Sequence, residues 1–141
     1  MFSYVYNFVG FVKVSRTFGD CTAKMEKYGG NPNCIIADPD IFVVPNTGEL
    51  DFVLIGSDGI FDRISTDETC EIVIDEIRAY TEGIRGSSKI RQGSFEHISN
   101  SCGQAVDRLM LSAMEKESMD NLSVVILSFA NLTKYLENVE P

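Results

Sequence analysis

The sequence predicts a single α+β domain over residues 1–141, and three observations carry that prediction. Strand-like runs rich in β-branched and aromatic residues fill the first part of the chain. Two amphipathic helical patterns follow, and a last apolar run closes the order between Leu122 and Phe129. Strands, then a pair of helices, then one more strand is the order of segregated α+β layers. At 141 residues with 44% hydrophobic and 23% charged side chains, the chain can bury a core and does not have the composition of a disordered segment.

The elements follow in order. Tyr4–Val14 reads as strand, interrupted near Gly10, and Ser15–Asp20 breaks its pattern. Tyr28–Asn33, with Gly29, Gly30 and Pro32, reads as a loop. Cys34–Ala37 and Ile41–Val44 are expected as short strands around Asp38-Pro39-Asp40. Pro45–Glu49 has the composition of a hairpin turn leading into a strand over Phe52–Gly56. Ser65-Thr66-Asp67-Glu68 is a capping box, and Cys70, Val73, Ile74 and Ile77 continue it as the apolar face of a helix. A second helix is expected from about Ser101 to Glu117, with Ala105, Val106, Leu109, Met110, Ala113 and Met114 as its stripe. Residues 82–100 between the helices are polar and rich in Gly and Ser, the composition of a surface insertion loop. Leu122–Phe129 is apolar at nearly every position and is expected to lie centrally in a sheet.

Charge and composition exclude several functions. A net charge of −9 argues against sequence-blind binding to nucleic acid, which needs a basic face to neutralise phosphates. No run approaches the roughly 18 apolar residues of a membrane span. The cysteines, Cys21, Cys34, Cys70 and Cys102, are irregularly spaced, and His97 is the sole histidine, so a zinc site is not expected. Nothing resembles a secretory signal, and a cytoplasmic setting with reduced thiols is the reading.

The chemistry lies in three aspartates. Phe52-Val53-Leu54-Ile55 delivers Asp58 just past its end, Asp62 follows four residues on, and Asp120 stands immediately before the closing apolar run. Hard divalent cations take oxygen ligands, and magnesium uses few carboxylates while keeping several waters. Acids brought by two core strands therefore suggest one shared metal site, although Asp-Gly and Asp-Asn are also common turn pairs. A calcium-binding EF-hand starting at Asp58 fails, because Arg63 stands where its glycine belongs and Thr69 where its glutamate belongs. The chain also lacks a phosphate-cradling Gly-rich Lys motif and a Gly-x-Ser-x-Gly elbow.

Three blocks resemble the metal-dependent serine/threonine protein phosphatases of the PPM, or type 2C, family. Gly10-Phe11-Val12-Lys13-Val14-Ser15-Arg16-Thr17-Phe18-Gly19-Asp20 is similar to its Val-Ser-Arg-Ala-Phe-Gly-Asp block. Ser57-Asp58-Gly59-Ile60-Phe61-Asp62 resembles its Ser-Asp-Gly-Leu/Ile-Trp/Phe-Asp block, and Ser118-Met119-Asp120-Asn121-Leu122-Ser123-Val124-Val125 its closing Ser-x-Asp-Asn-Ile-Thr-Val-Val block. The resemblance implies an antiparallel β-sandwich flanked by helix pairs. It also implies hydrolysis of phosphoserine or phosphothreonine on protein substrates by a metal-activated water. Asp58 and Asp120 would be ligands of a dinuclear Mn2+ or Mg2+ centre, and Asp62 would belong to a further, weaker metal site.

The departures are informative. Thr17 replaces the usual alanine, and Glu117 stands where glycine commonly precedes the serine. The family's acidic pair, its Asp-Gly-His-Gly-Gly block and its phosphate-contacting arginine lie upstream of the matched blocks and have no counterpart here. The only Asp-Gly is Asp58-Gly59, and His97 sits in Phe95-Glu96-His97-Ile98. The resemblance therefore implies the C-terminal portion of a catalytic domain, not expected to turn over substrate by itself. Its open strand edges would be covered by a partner chain or by self-association. The alternative is a catalytically inactive phosphatase-like piece serving as a binding or structural subunit.

Overall fold

The computed structural model describes residues 14–85 and 89–137. The chain divides into two compact units, residues 1–44 and 45–141. The expected strand over Tyr4–Val14 lies outside the described residues except at its last position, where Val14 has no regular structure.

In the first unit, among the described residues, bonds join residues 15–17 to residues 36–40. Arg16 and Ile36 form an isolated parallel bridge, with the Thr17 amide donating to the Ile36 carbonyl at 3.0 Å and the Ile36 amide to Ser15 at 2.9 Å. Between them lie helix α1, Cys21–Lys24, and a 3-10 turn, Glu26–Tyr28. Arg16 donates to the Asp38 carbonyl at 2.6 Å and pairs with the Asp40 carboxylate at 2.9 Å. The strands expected at Cys34–Ala37 and Ile41–Val44 do not form: Ile36 makes only the bridge, and Ile41–Val44 is irregular and exposed. β-propensity acts through ladder partners and burial; this run is exposed, and among the described residues no ladder partner pairs with it. Pro39 and Pro45, which carry no amide hydrogen, bracket it.

The second unit is a two-stranded antiparallel sheet packed on helices. Strand β1, Phe52–Gly56, pairs with β2, Val124–Ser128, in the register Phe52↔Ser128, Leu54↔Ile126 and Gly56↔Val124. Between the strands run the helical turn α2, Asp58–Phe61, and the long helices α3, Thr66–Gly83, and α4, Phe95–Glu115. Helix α5, Ala130–Glu137, follows β2. Helices α3 and α4 are antiparallel neighbours. Lys116 after α4 binds Glu68 at the start of α3 at 2.6 Å, while Tyr80 and Thr81 near the end of α3 bond Asn100 and His97 near the start of α4.

Pleating divides the sheet. Phe52, Leu54, Val124 and Ile126 pack against the buried Ile60, Ile64, Val73, Ile77, Leu109, Leu132 and Leu136. Val53, Ile55, Val125 and Leu127 share the opposite face and are 39–56% exposed. The mixed α+β class is observed. Among the described residues the sheet has two strands, so β2 has a single neighbour and is not central.

The helices start where caps allow. The Ser65 hydroxyl accepts from the Glu68 amide at 3.2 Å, as the capping box requires, but the Glu68 carboxylate is taken by Lys116. Helix α4 begins six residues before the predicted start, capped by Ser94, whose hydroxyl accepts from the His97 amide at 3.2 Å. The buried face there is made by His97 and Ser101, so an apolar stripe cannot mark it. Helix α5 was not anticipated; its signal is the i, i+4 pair Leu132 and Leu136, both buried. Among the described residues no helix is long and apolar enough to cross a membrane.

Candidate metal centre

The site is built where the two strands end. β1 stops at Gly56, and Ser57 turns the chain into α2, its carbonyl accepting from the Ile60 amide at 3.1 Å. Asp58 opens α2 and Asp62 closes it, the Asp62 amide donating to the Asp58 carbonyl at 2.8 Å. One helical turn separates the two aspartates, so they share a face. On the other strand, Asp120 precedes β2, and its Oδ1 accepts from the Asn121 amide at 2.7 Å.

Side-chain clasps hold these loops together. The Ser57 hydroxyl donates to the Asn121 carbonyl at 2.8 Å and accepts from the Ser123 amide at 3.1 Å. The Ser118 hydroxyl donates to the Gly59 carbonyl at 2.7 Å. Asp58 and Asp120 thus each stand next to a residue of one hydrogen-bonded pair, Ser57 and Asn121. All three aspartates are exposed. Among the described residues no group of three or more His, Cys, Asp or Glu gathers in metal-holding geometry. Carboxylate oxygens at a water-accessible loop suit a hard cation, and magnesium is commonly held by one or two carboxylates with waters. The donor set fits in kind.

Sequence reading missed the serines, although each stands in the block that carries its aspartate. It also left the Glu117 departure without a reason. Glu117 has φ 59°, and the amides of Glu117 and Ser118 donate to Met114 and Ala113 at 2.9 Å, closing α4 with a left-handed residue. Glycine adopts that conformation without strain. Glu117→Gly is expected to stabilise the chain by roughly 0.5–1 kcal/mol, read as a higher urea midpoint.

His97 is not part of this site. It is fully buried, stacked on Tyr80 with ring centroids 5.8 Å apart. The Gly93 amide donates to Nδ1 at 2.9 Å, so Nε2 carries the hydrogen and donates to the Thr81 hydroxyl at 2.9 Å, which donates to the Ile77 carbonyl at 2.7 Å. Burial pushes its pKa below the ordinary value. Burial likewise raises the Cys102 thiol, against a smaller opposing effect of its hydrogen bond with Ser101.

An α+β unit that clasps two acid-bearing loops at one end of its sheet is the class defined by fold and site. The chain belongs to the protein phosphatase 2C family, whose model, described as "Protein phosphatase 2C", matches residues 2–122. It is 30% identical over 129 residues to "Protein phosphatase 1B" of Mus musculus, covering 91% of this chain and 28% of that protein. It is 26% identical over 134 residues to "Protein phosphatase 2C 50" of Oryza sativa subsp. japonica, covering 95% and 32%. With "Protein phosphatase 2C 16" of Arabidopsis thaliana it shares 25% identity over 126 residues, covering 89% and 23%. The chain therefore spans about a third or less of the length of these relatives. No solved structure matches it.

Proposed function

We propose that this chain is the C-terminal portion of the catalytic domain of a metal-dependent serine/threonine protein phosphatase, with Asp58 and Asp120 as Mn2+ or Mg2+ ligands. Asp62, one helical turn from Asp58, serves a weaker outer site. The observation that carries the reading is the clasp between Ser57 and Asn121, which brings the two acid loops together on the scaffold of a phosphatase family. When bound, such cations supply a water nucleophile at neutral pH and neutralise charge on the phosphoryl oxygens of a phosphoserine or phosphothreonine protein. The chain's own part is to hold and orient. Asn121 fixes one oxygen of Asp120 through its amide, and α2 fixes Asp58 and Asp62 on one face.

The test is a calorimetric Mn2+ titration of the full chain. Asp58→Ala is expected to weaken binding at least tenfold, in line with losing one of few ligands. Equal affinity in the variant overturns the metal reading. A second reading, a phosphatase-like subunit without turnover, draws on the exposed apolar sheet face of Val53, Ile55, Val125 and Leu127. Manganese-dependent phosphopeptide hydrolysis that disappears in Asp58→Ala would sink it.

A further inference from the structure

The antiparallel ladder between β1 and β2 does not stop where the strands do. Beyond the Gly56↔Val124 pair, the Ser57 amide still donates to the Ser123 carbonyl at 3.0 Å. The reciprocal bond cannot be made by the backbone, because the Ser57 carbonyl has already turned to accept from Ile60 and start α2. The Ser57 hydroxyl takes its place. It accepts the Ser123 amide at 3.1 Å and passes its own hydrogen to the Asn121 carbonyl at 2.8 Å. One side-chain oxygen therefore stands in for a ladder carbonyl at the point where one strand must continue straight and the other must turn into a helix.

We propose that Ser57 is a positioning residue, whose hydroxyl sets the spacing between the Asp58 and Asp120 carboxylates. The role rests on the metal reading of those aspartates and adds to it the device that holds them in register. Alanine at this position keeps the Ser57 amide bond to Ser123 but leaves the Ser123 amide and the Asn121 carbonyl without their partner. Both lie at water-accessible positions, so the fold survives while the Asp120 loop gains freedom. Ser118, bonded to the Gly59 carbonyl, is a second and separate rung.

The test uses the full 141-residue chain as wild type, Ser57→Ala, Ser57→Thr and Ser118→Ala. Amide hydrogen exchange is measured without metal, and Mn2+ affinity by calorimetry. Removing a group that orients a metal ligand typically lowers affinity about 10- to 100-fold. Ser57→Ala is expected to speed exchange of the Ser123 amide and to weaken Mn2+ binding about tenfold or more. Ser57→Thr, which keeps the hydroxyl, is expected to restore both. Ser118→Ala is expected to weaken Mn2+ binding with the Ser123 amide still protected. If Ser57→Ala does not fold, Ser57→Cys, which puts a weakly hydrogen-bonding thiol in the place of the hydroxyl, carries the test, with the same faster exchange and weaker binding expected. Faster exchange in Ser57→Ala with unchanged Mn2+ affinity overturns the positioning role and leaves a structural one. Unchanged exchange overturns the clasp itself. A wild-type titration indistinguishable from that of Asp58→Ala overturns the metal reading, while exchange at Ser123 still reports on the clasp separately.

Discussion

His97→Ala is expected to destabilise the chain by about 3 kcal/mol, combining a lost buried ring with a Gly93 amide and a Thr81 hydroxyl stripped of their partner. The histidine joins three pieces of backbone: α3 through Thr81 and Ile77, the loop before α4 through Gly93, and α4 itself. Its role is also pH-dependent. Nδ1 accepts a hydrogen bond, so a proton there would face the Gly93 amide, donor against donor, and leave a buried cation in the first turn of α4. The positive end of that helix dipole disfavours it further. The groups bonded to the ring are the Gly93 amide and the Thr81 hydroxyl, and the Tyr80 ring stacks on it. The folded pKa is lowered by burial. Stability from the neutral ring is thus fully present above the unfolded value near 6.5 and declines as pH falls below it. Urea midpoints at pH 7.5 and 5.5 are expected to show the drop. His97→Gln, which keeps a donor and an acceptor without titrating, is expected to flatten it. An equal drop in both proteins would show that carboxylates elsewhere set the acid limb.

The same residue marks where sequence reading reaches its limit. Periodicity found α3 and the later turns of α4 because Val73, Ile77, Ala105 and Leu109 are both apolar and buried. It lost the first turns of α4 because their inward positions are His97 and Ser101, polar groups that no apolar stripe records: His97 bonds the nearby Gly93 amide and, across to α3, the Thr81 hydroxyl, while Ser101 bonds the Ile98 carbonyl. Strand propensity failed in the opposite sense at Ile41–Val44, where four strong strand formers stand exposed and irregular, with no ladder partner among the described residues. At the candidate metal centre the motifs pointed to the acids. The serines that join the loops were in the same motifs, but their bonds span 59 to 66 residues of sequence, so only the fold discloses the pairing.

Gly59→Ala is expected to disturb both the fold and the acid pair, because Gly59 is where the two loops touch. A Cβ on Gly59 would lie 2.5 Å from the Asn121 carbonyl oxygen and 3.1 Å from a methyl of Leu122. The first neighbour is backbone, held in place by Ser57, so it cannot rotate aside as a side chain would. Overpacking of this kind costs about 1–3 kcal/mol, against roughly 0.5–1 kcal/mol that alanine gains over glycine in a helical turn. A net loss of about 1–2 kcal/mol is expected. Gly83 and Gly103 are the controls. Both lie in long helices with nothing within 4 Å of the added carbon, so alanine there is expected to raise the urea midpoint. The clash acts along the line joining the Asp58 turn to the Asp120 loop. Gly59→Ala is therefore expected to weaken Mn2+ binding as well, whereas the two controls leave it unchanged. A Gly59→Ala chain as stable as Gly103→Ala would mean that the loops yield at no cost, and that neither acid is held by the other's loop.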